Sequence, residues 1–193
     1  QLHARIDTGD PVLPSVKETT AGVRAALFVD QTDHAFYPRS GFAAVGTAYA
    51  AMESFGSAAS YQRFEGGFRG ARSWGPHTLG YAISGGTDLD SGMPAYESFT
   101  LGGPLHLSGY RVNQFAGREF AFGRLLYYQR MFALPGILGS GVYAGASAEV
   151  GRITDRSDGL PSPGTLWSGS AFLGADTIAG PAYLGVGFGA SGH

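Results

Sequence analysis

The stretch Val142-Tyr143-Ala144-Gly145-Ala146-Ser147-Ala148-Glu149-Val150 decides the fold. Its even positions are apolar, whereas Gly145, Ser147 and Glu149 occupy the odd ones. A period of two is the signature of a strand with unlike faces. The same alternation recurs over 182–190, where Ala182, Leu184, Val186 and Phe188 oppose Tyr183, Gly185, Gly187 and Gly189. In 79–85, Leu79, Tyr81 and Ile83 alternate with Gly80, Ala82 and Ser84. In 61–69, Phe64 and Phe68 oppose Arg63, Glu65 and Arg69. Less regular strands are expected at 22–30, 41–55, 117–133 and 165–178.

About eight strands of roughly ten residues result, each bounded by Gly, Pro, Asp or Ser, and ten tilted residues cross a bilayer. One parity is apolar and the other small or polar. Backbone groups in lipid must all be paired, so such a sheet closes into a barrel with its polar parity inward. A soluble barrel or sandwich gives the same alternation with the faces exchanged. Two features favour the membrane: only 15% of residues are charged, and aromatic residues crowd strand ends (Tyr37, Phe42, Trp74, Tyr127, Tyr128, Phe132, Trp167, Tyr183). The segment 117–133 resists the pattern, because Arg124 and Arg130 share a parity with Phe120, Phe122 and Phe132. A bulge, or an extension beyond the membrane, would reconcile it.

Composition narrows the function. Glycine is abundant, 32 of 193 residues, without the three-residue period of collagen. Lys17 is the sole lysine, so no polybasic patch invites nucleic acid. Cysteine is absent, which excludes a disulfide scaffold and a thiolate metal site. The charge-free stretches 131–148, 159–175 and 177–193 are broken by Gly and Pro and are not read as membrane helices. No Gly-x-Ser-x-Gly nucleophile elbow occurs, so no catalytic residue is assigned and the chain is expected not to be an enzyme. The five histidines show no ligand spacing, so neither a metal nor a cofactor is expected. Gly187-Phe188-Gly189-Ala190-Ser191-Gly192 fits Gly-x-Gly-x-x-Gly only formally, since no helix follows; small lumen-facing residues explain it better. Asp88-Leu89-Asp90 and 155–159 read as solvated acidic loop tips.

Between two alternating runs lies Phe99-Thr-Leu-Gly-Gly-Pro-Leu-His-Leu-Ser-Gly-Tyr110, charge-free and too long for a hairpin turn. It resembles the conserved loop of the BamA/TpsB superfamily of outer-membrane transporters (bacterial surface antigens), whose Val/Leu-Arg-Gly-Phe/Tyr core folds back inside the barrel. The nearer resemblance is to the translocator barrel of patatin-like phospholipase autotransporters (type Vd), where the core reads Leu-Ser-Gly-Tyr, as Leu107-Ser108-Gly109-Tyr110 does. Asp30 through Gly41, ending Phe36-Tyr37-Pro38-Arg39-Ser40-Gly41, is similar to the superfamily's Asp…Phe-Pro-Arg-x-Gly turn. Leu126-Tyr127-Tyr128-Gln129-Arg130 is similar to the strand after the loop, and Ala148-Glu149-Val150-Gly151 to its acidic-x-Gly step. Phe172–Thr177 followed by Gly180–Leu184 is similar to the penultimate hairpin of the patatin-linked branch.

The resemblance implies an all-β, antiparallel transmembrane barrel of about sixteen strands in the bacterial outer membrane. This chain would be its carboxy-terminal half: residues 1–21 a strand end and loop, 22–193 the barrel fragment, with the final strand lacking. An intact eight-stranded barrel is the competing reading. The implied function is to anchor and translocate an upstream lipase domain; the implied partners are outer-membrane lipids, upstream lipase and periplasmic domains of the same chain, and the barrel assembly machinery. An insertase or two-partner secretion barrel, or a freestanding structural or ligand-binding barrel, are the alternatives. In the superfamily the loop arginine reaches the acidic residue aligned with Glu149. Ser108 replaces that arginine, so Arg111, Arg118 or a serine hydrogen bond is expected to substitute, with Glu149, Gln129 and Arg130 as partners of the lock.

Overall fold

The structure, a computed structural model, describes residues 19–90, 92–135 and 139–190. Most of the expected segment 1–21 lies outside the described residues. Nine strands form one antiparallel sheet: β1 (Gly22–Asp30), β2 (Ser40–Ala51), β3 (Tyr61–Trp74), β4 (His77–Asp88), β5 (Phe99–Leu101), β6 (Phe115–Phe132), β7 (Gly139–Arg156), β8 (Thr165–Thr177) and β9 (Gly180–Gly189). Eight run as a meander in the order β1-β2-β3-β4-β6-β7-β8-β9, and the short β5 pairs with the upper end of β6. Four long strands precede the inserted connection and four follow it, as the alternation predicts. Among the described residues β1 does not pair with β9, so the sheet curls without closing.

Register turns parity into two faces. One row runs Asp30–Ala43–Arg69–Ala82–Arg124–Glu149–Ser168–Gly189 across all eight strands. The next, Ala44–Phe68–Ile83–Gly123–Val150–Trp167, lies on the opposite face. Glu149 is buried at 2% exposure, whereas Ile83, Leu184 and Val186 are open. Arg63, Glu65, Arg69 and Glu149 therefore face the lumen, and Phe64, Phe68, Leu79, Tyr81, Ile83, Leu184 and Val186 face outward. Polar residues bound the outward face, from Gln62 to Arg72 on β3 and from Glu119 to Gln129 on β6. Ten residues at about 3.4 Å each span about 34 Å. Tilted by about 45°, that projects to roughly 24 Å, the height of an outer-membrane apolar band. No helix among the described residues is long and apolar enough to cross a membrane.

The misfit of 117–133 has a two-part cause. A register shift between Arg130 and Phe132 places Phe132 opposite Val142, so it joins the outward face. Phe120 and Phe122 do face inward, where Phe122 and its neighbours form a core beneath the inserted loop. The expected aromatic belt is corrected likewise. Phe42, Trp74, Tyr127 and Trp167 are outward, but Tyr37, Tyr128 and Tyr183 are not. Tyr37 stacks on Tyr143 at 4.3 Å, with Tyr128 edge-on to both.

Connections 31–39, 75–76 and 178–179 and the end of β6 lie at one end of the strands, and those between β2 and β3, β4 and β6, and β7 and β8 at the other. Outer-membrane barrels keep short turns on the periplasmic side and longer loops outside. The 89–114 connection therefore starts from the extracellular rim.

Candidate functional site

The 89–114 connection folds into the lumen. Gly102 (φ 122°) and Gly103 (φ 113°) turn the chain after β5, and a Cβ on Gly102 would sit 2.2 Å from the Arg111 carbonyl oxygen. Gly102 N–H donates to the His106 carbonyl (3.0 Å), His106 N–H to the Gly103 carbonyl (3.0 Å) and Tyr110 N–H to the Leu107 carbonyl (3.0 Å). Leu105 (φ 57°) and Leu107 (φ 73°) take left-handed conformations, each costing on the order of 1–3 kcal/mol. Packing holds them there: Leu107 and Leu101, both fully buried, join Tyr110, Phe115, Phe122, Ile153 and Leu166 in one core, and Leu105 packs against the Tyr37, Tyr128, Tyr143 and Phe172 cluster. A Cβ on Gly151 would meet Leu107 at 3.0 Å, so the acidic-x-Gly step on β7 gives the loop its seat.

Above this seat the Glu149 carboxylate accepts four hydrogen bonds. Ser108 supplies two, from its backbone N–H (2.5 Å) and its hydroxyl (2.8 Å). Ser147 donates at 2.6 Å and Ser168 at 3.1 Å. The serines are shared: Ser108 Oγ accepts the Leu105 N–H (2.8 Å), and Ser168 Oγ accepts the Gly109 N–H (2.9 Å). An acceptor-only carboxylate with every oxygen engaged can be buried without a cation in direct contact. Arg124, paired with Glu149 across β6 and β7, instead donates to the Leu105 carbonyl at 2.6 Å. The tip also touches β9: a Cβ on Gly187 would lie 1.8 Å from the Ser108 carbonyl oxygen. The glycine pattern at 187–192 thus has a steric reason at Gly187. Beside the loop a cavity of about 440 Å³ opens, bordered by Phe28, Arg69, Leu105, His106 and Arg124. Burial, then the Arg124 charge, holds His106 below its ordinary value, with Glu149 pulling the other way.

The structure gathers Leu107, Ser108, Gly109 and Tyr110 around Glu149 but leaves out three expected members. Arg111 is exposed, and its N–H bonds the Gln114 side chain; the serine hydrogen bond takes its place. Gln129 faces outward in register with His77. Arg130 lies six residues below Arg124, about 20 Å along the strand, opposite Tyr143. Arg118 approaches buried Asp88 at 3.9 Å. The sequence reading missed Ser147, Ser168 and Arg124 as members. Ser147 shares the parity of Glu149 and was visible in principle; Ser168 enters only through cross-strand register.

The lumen charges of β3 pair as the cost of isolated charge demands. Arg63 contacts Glu65 (3.1 Å), Glu97 of the connection (3.3 Å) and the Phe99 ring face. Arg69 reaches Asp30 at 3.3 Å. At the periplasmic end the 31–39 turn folds under the lumen. There Tyr37 donates to the Ala182 carbonyl (3.3 Å), Tyr128 donates to the Pro38 carbonyl, and His34 lies 3.1 Å from Asp176.

Residues 13–150 match the Omp85 superfamily domain, a span that includes the inserted loop and ends just past Glu149. No curated protein matches the chain. With a curled antiparallel sheet, an apolar outer band and a loop seated on a β7 carboxylate, the chain belongs to the Omp85 superfamily of bacterial outer-membrane β-barrels, a family of translocators and insertases.

Proposed function

We propose that this chain is the translocator barrel of a patatin-like phospholipase autotransporter, anchoring an amino-terminal lipase domain and carrying it across the outer membrane. One observation carries the reading. The loop core is Leu-Ser-Gly-Tyr, and Ser108 meets the β7 carboxylate through its hydroxyl and amide in place of an arginine. Neutral donors suit this position because Ser147 and Ser168 complete the carboxylate shell. On this reading the chain does no covalent chemistry. Lipid, the assembly machinery and the upstream domains are its partners, and the loop fixes the conformation of the wall.

Two measurements on the full-length protein test it. Mass spectrometry of the protein extracted from outer membranes should find a Gly-x-Ser-x-Gly domain ahead of Gln1, and protease added to intact cells should reach that domain. A row of periplasmic repeats ahead of Gln1 would instead support an insertase or two-partner secretion barrel. Ester hydrolysis by this chain without upstream residues would overturn the assignment of chemistry to an upstream domain.

A further inference from the structure

Parity turns Arg72 of β3 toward lipid, in the outward row Ser40–Arg72–Leu79–Tyr127. Arg72 is exposed, and its guanidinium has neither a hydrogen bond nor an ion pair among the described residues. The acidic group of the adjoining turn, Asp33, is already engaged by the N–H groups of Arg39 (2.8 Å) and Ser40 (3.0 Å). The lipid-facing arginine at the opposite rim differs: Arg152 of β7 has Glu119 diagonally across the ladder, opposite Thr154. A guanidinium on a membrane face reaches for polar partners at the interface, and Arg72 has none of its own.

Beside it stands an aromatic frame with polar tips. Trp74, His77 and Tyr127 form a stacked ladder with centroid separations of 6.3 Å and 6.0 Å. The Tyr127 hydroxyl and His77 Nδ1 lie 2.7 Å apart. When the hydroxyl donates there, the neutral ring carries its proton on Nε2, which has no partner among the described residues. The turn below is pinned from both sides: Arg39 donates to the Gly75 carbonyl (2.7 Å) and Arg130 N–H to the Pro76 carbonyl (2.9 Å). An indole and a phenol at this depth belong to the headgroup region, here of the periplasmic leaflet.

We infer that Arg72, framed by Ser40, Trp74, His77 and Tyr127, is a binding site for the phosphodiester of an anionic glycerophospholipid in the periplasmic leaflet. The planar guanidinium matches phosphate oxygens in a two-pronged bond, the Ser40 hydroxyl and the imidazole supply further donors, and Trp74 covers the glycerol region.

Native mass spectrometry of the full-length protein titrated with phosphatidylglycerol or phosphatidylcholine tests this. Phosphatidylglycerol should bind about five-fold more tightly at the first site, the preference expected of one basic residue near an anionic surface. Arg72→Gln should remove that preference and Arg152→Gln should keep it. His77→Ala, which spares the charge and breaks the frame, should weaken it. An Arg72→Gln protein with unchanged selectivity overturns the assignment, as does unchanged selectivity in His77→Ala if Arg72→Gln does not assemble. Displacement of the lipid by excess inorganic phosphate would identify a free-anion site and equally overturn it.

Discussion

Glu149→Ala is expected to release the loop while leaving the wall intact. The substitution removes two bonds from Ser108 to the carboxylate, and hydrogen bonds to a charged group contribute about 1.5–3 kcal/mol each. Part is recovered, because Ser147 can turn to Ser170, 2.7 Å away, and Ser108 Oγ still accepts the Leu105 N–H. The Ser108 amide has no substitute acceptor and is left orphaned. Arg124 loses its neighbouring negative charge, a loss tempered by the adjoining 440 Å³ cavity. The net shift is about 3–4 kcal/mol toward the undocked loop, or roughly 140- to 700-fold in the opening equilibrium. Hydrogen exchange of the 105–110 amides in the reconstituted protein measures this, with the 79–85 amides as the internal control. Glu149→Gln keeps one carbonyl acceptor and should give a smaller acceleration, about ten-fold. Unaltered exchange over 105–110 in Glu149→Ala would refute the carboxylate as the anchor of the loop and leave the apolar seat as the sole restraint.

Three further outcomes follow from the same geometry. Gly187→Ala sets a Cβ 1.8 Å from the Ser108 carbonyl oxygen; the two backbones must separate, and exchange should rise at both the loop tip and β9. His106 titrates at about 6.5 when released and lower when docked, so docking is full above that pH and weakens as pH falls through it. His106→Asn should flatten this dependence in an exchange series from pH 8 to 5. Tyr37→Ala removes the stack on Tyr143 and the bond to the Ala182 carbonyl. A buried aromatic truncation costs about 3–5 kcal/mol, which should show as a lower unfolding temperature in heat-modifiable gel mobility.

Sequence alone determined the eight long strands and which residues of each share a face, but not the short β5. Alternation is local: a residue and its second neighbour must share a face whatever the rest of the chain does. Hence Glu149 and Val150 could be placed on opposite faces from nine residues, with Glu149 inward on the membrane reading, and the Leu107–Tyr110 loop could be singled out as inserted by resemblance. The tertiary structure decided everything that depends on register. Which residue stands opposite Glu149 is set by the pairing of β7 with β6 and β8, and that pairing selects Arg124 and Ser168 and puts Arg130 far below. The inward phenylalanines of β6 misled the parity count because their apolar partner is the loop, which comes from elsewhere in sequence. The aromatic residues at strand ends split between lipid and lumen for the same reason: a side chain's face is written locally, but what covers that face is supplied by distant segments brought together when the sheet curls.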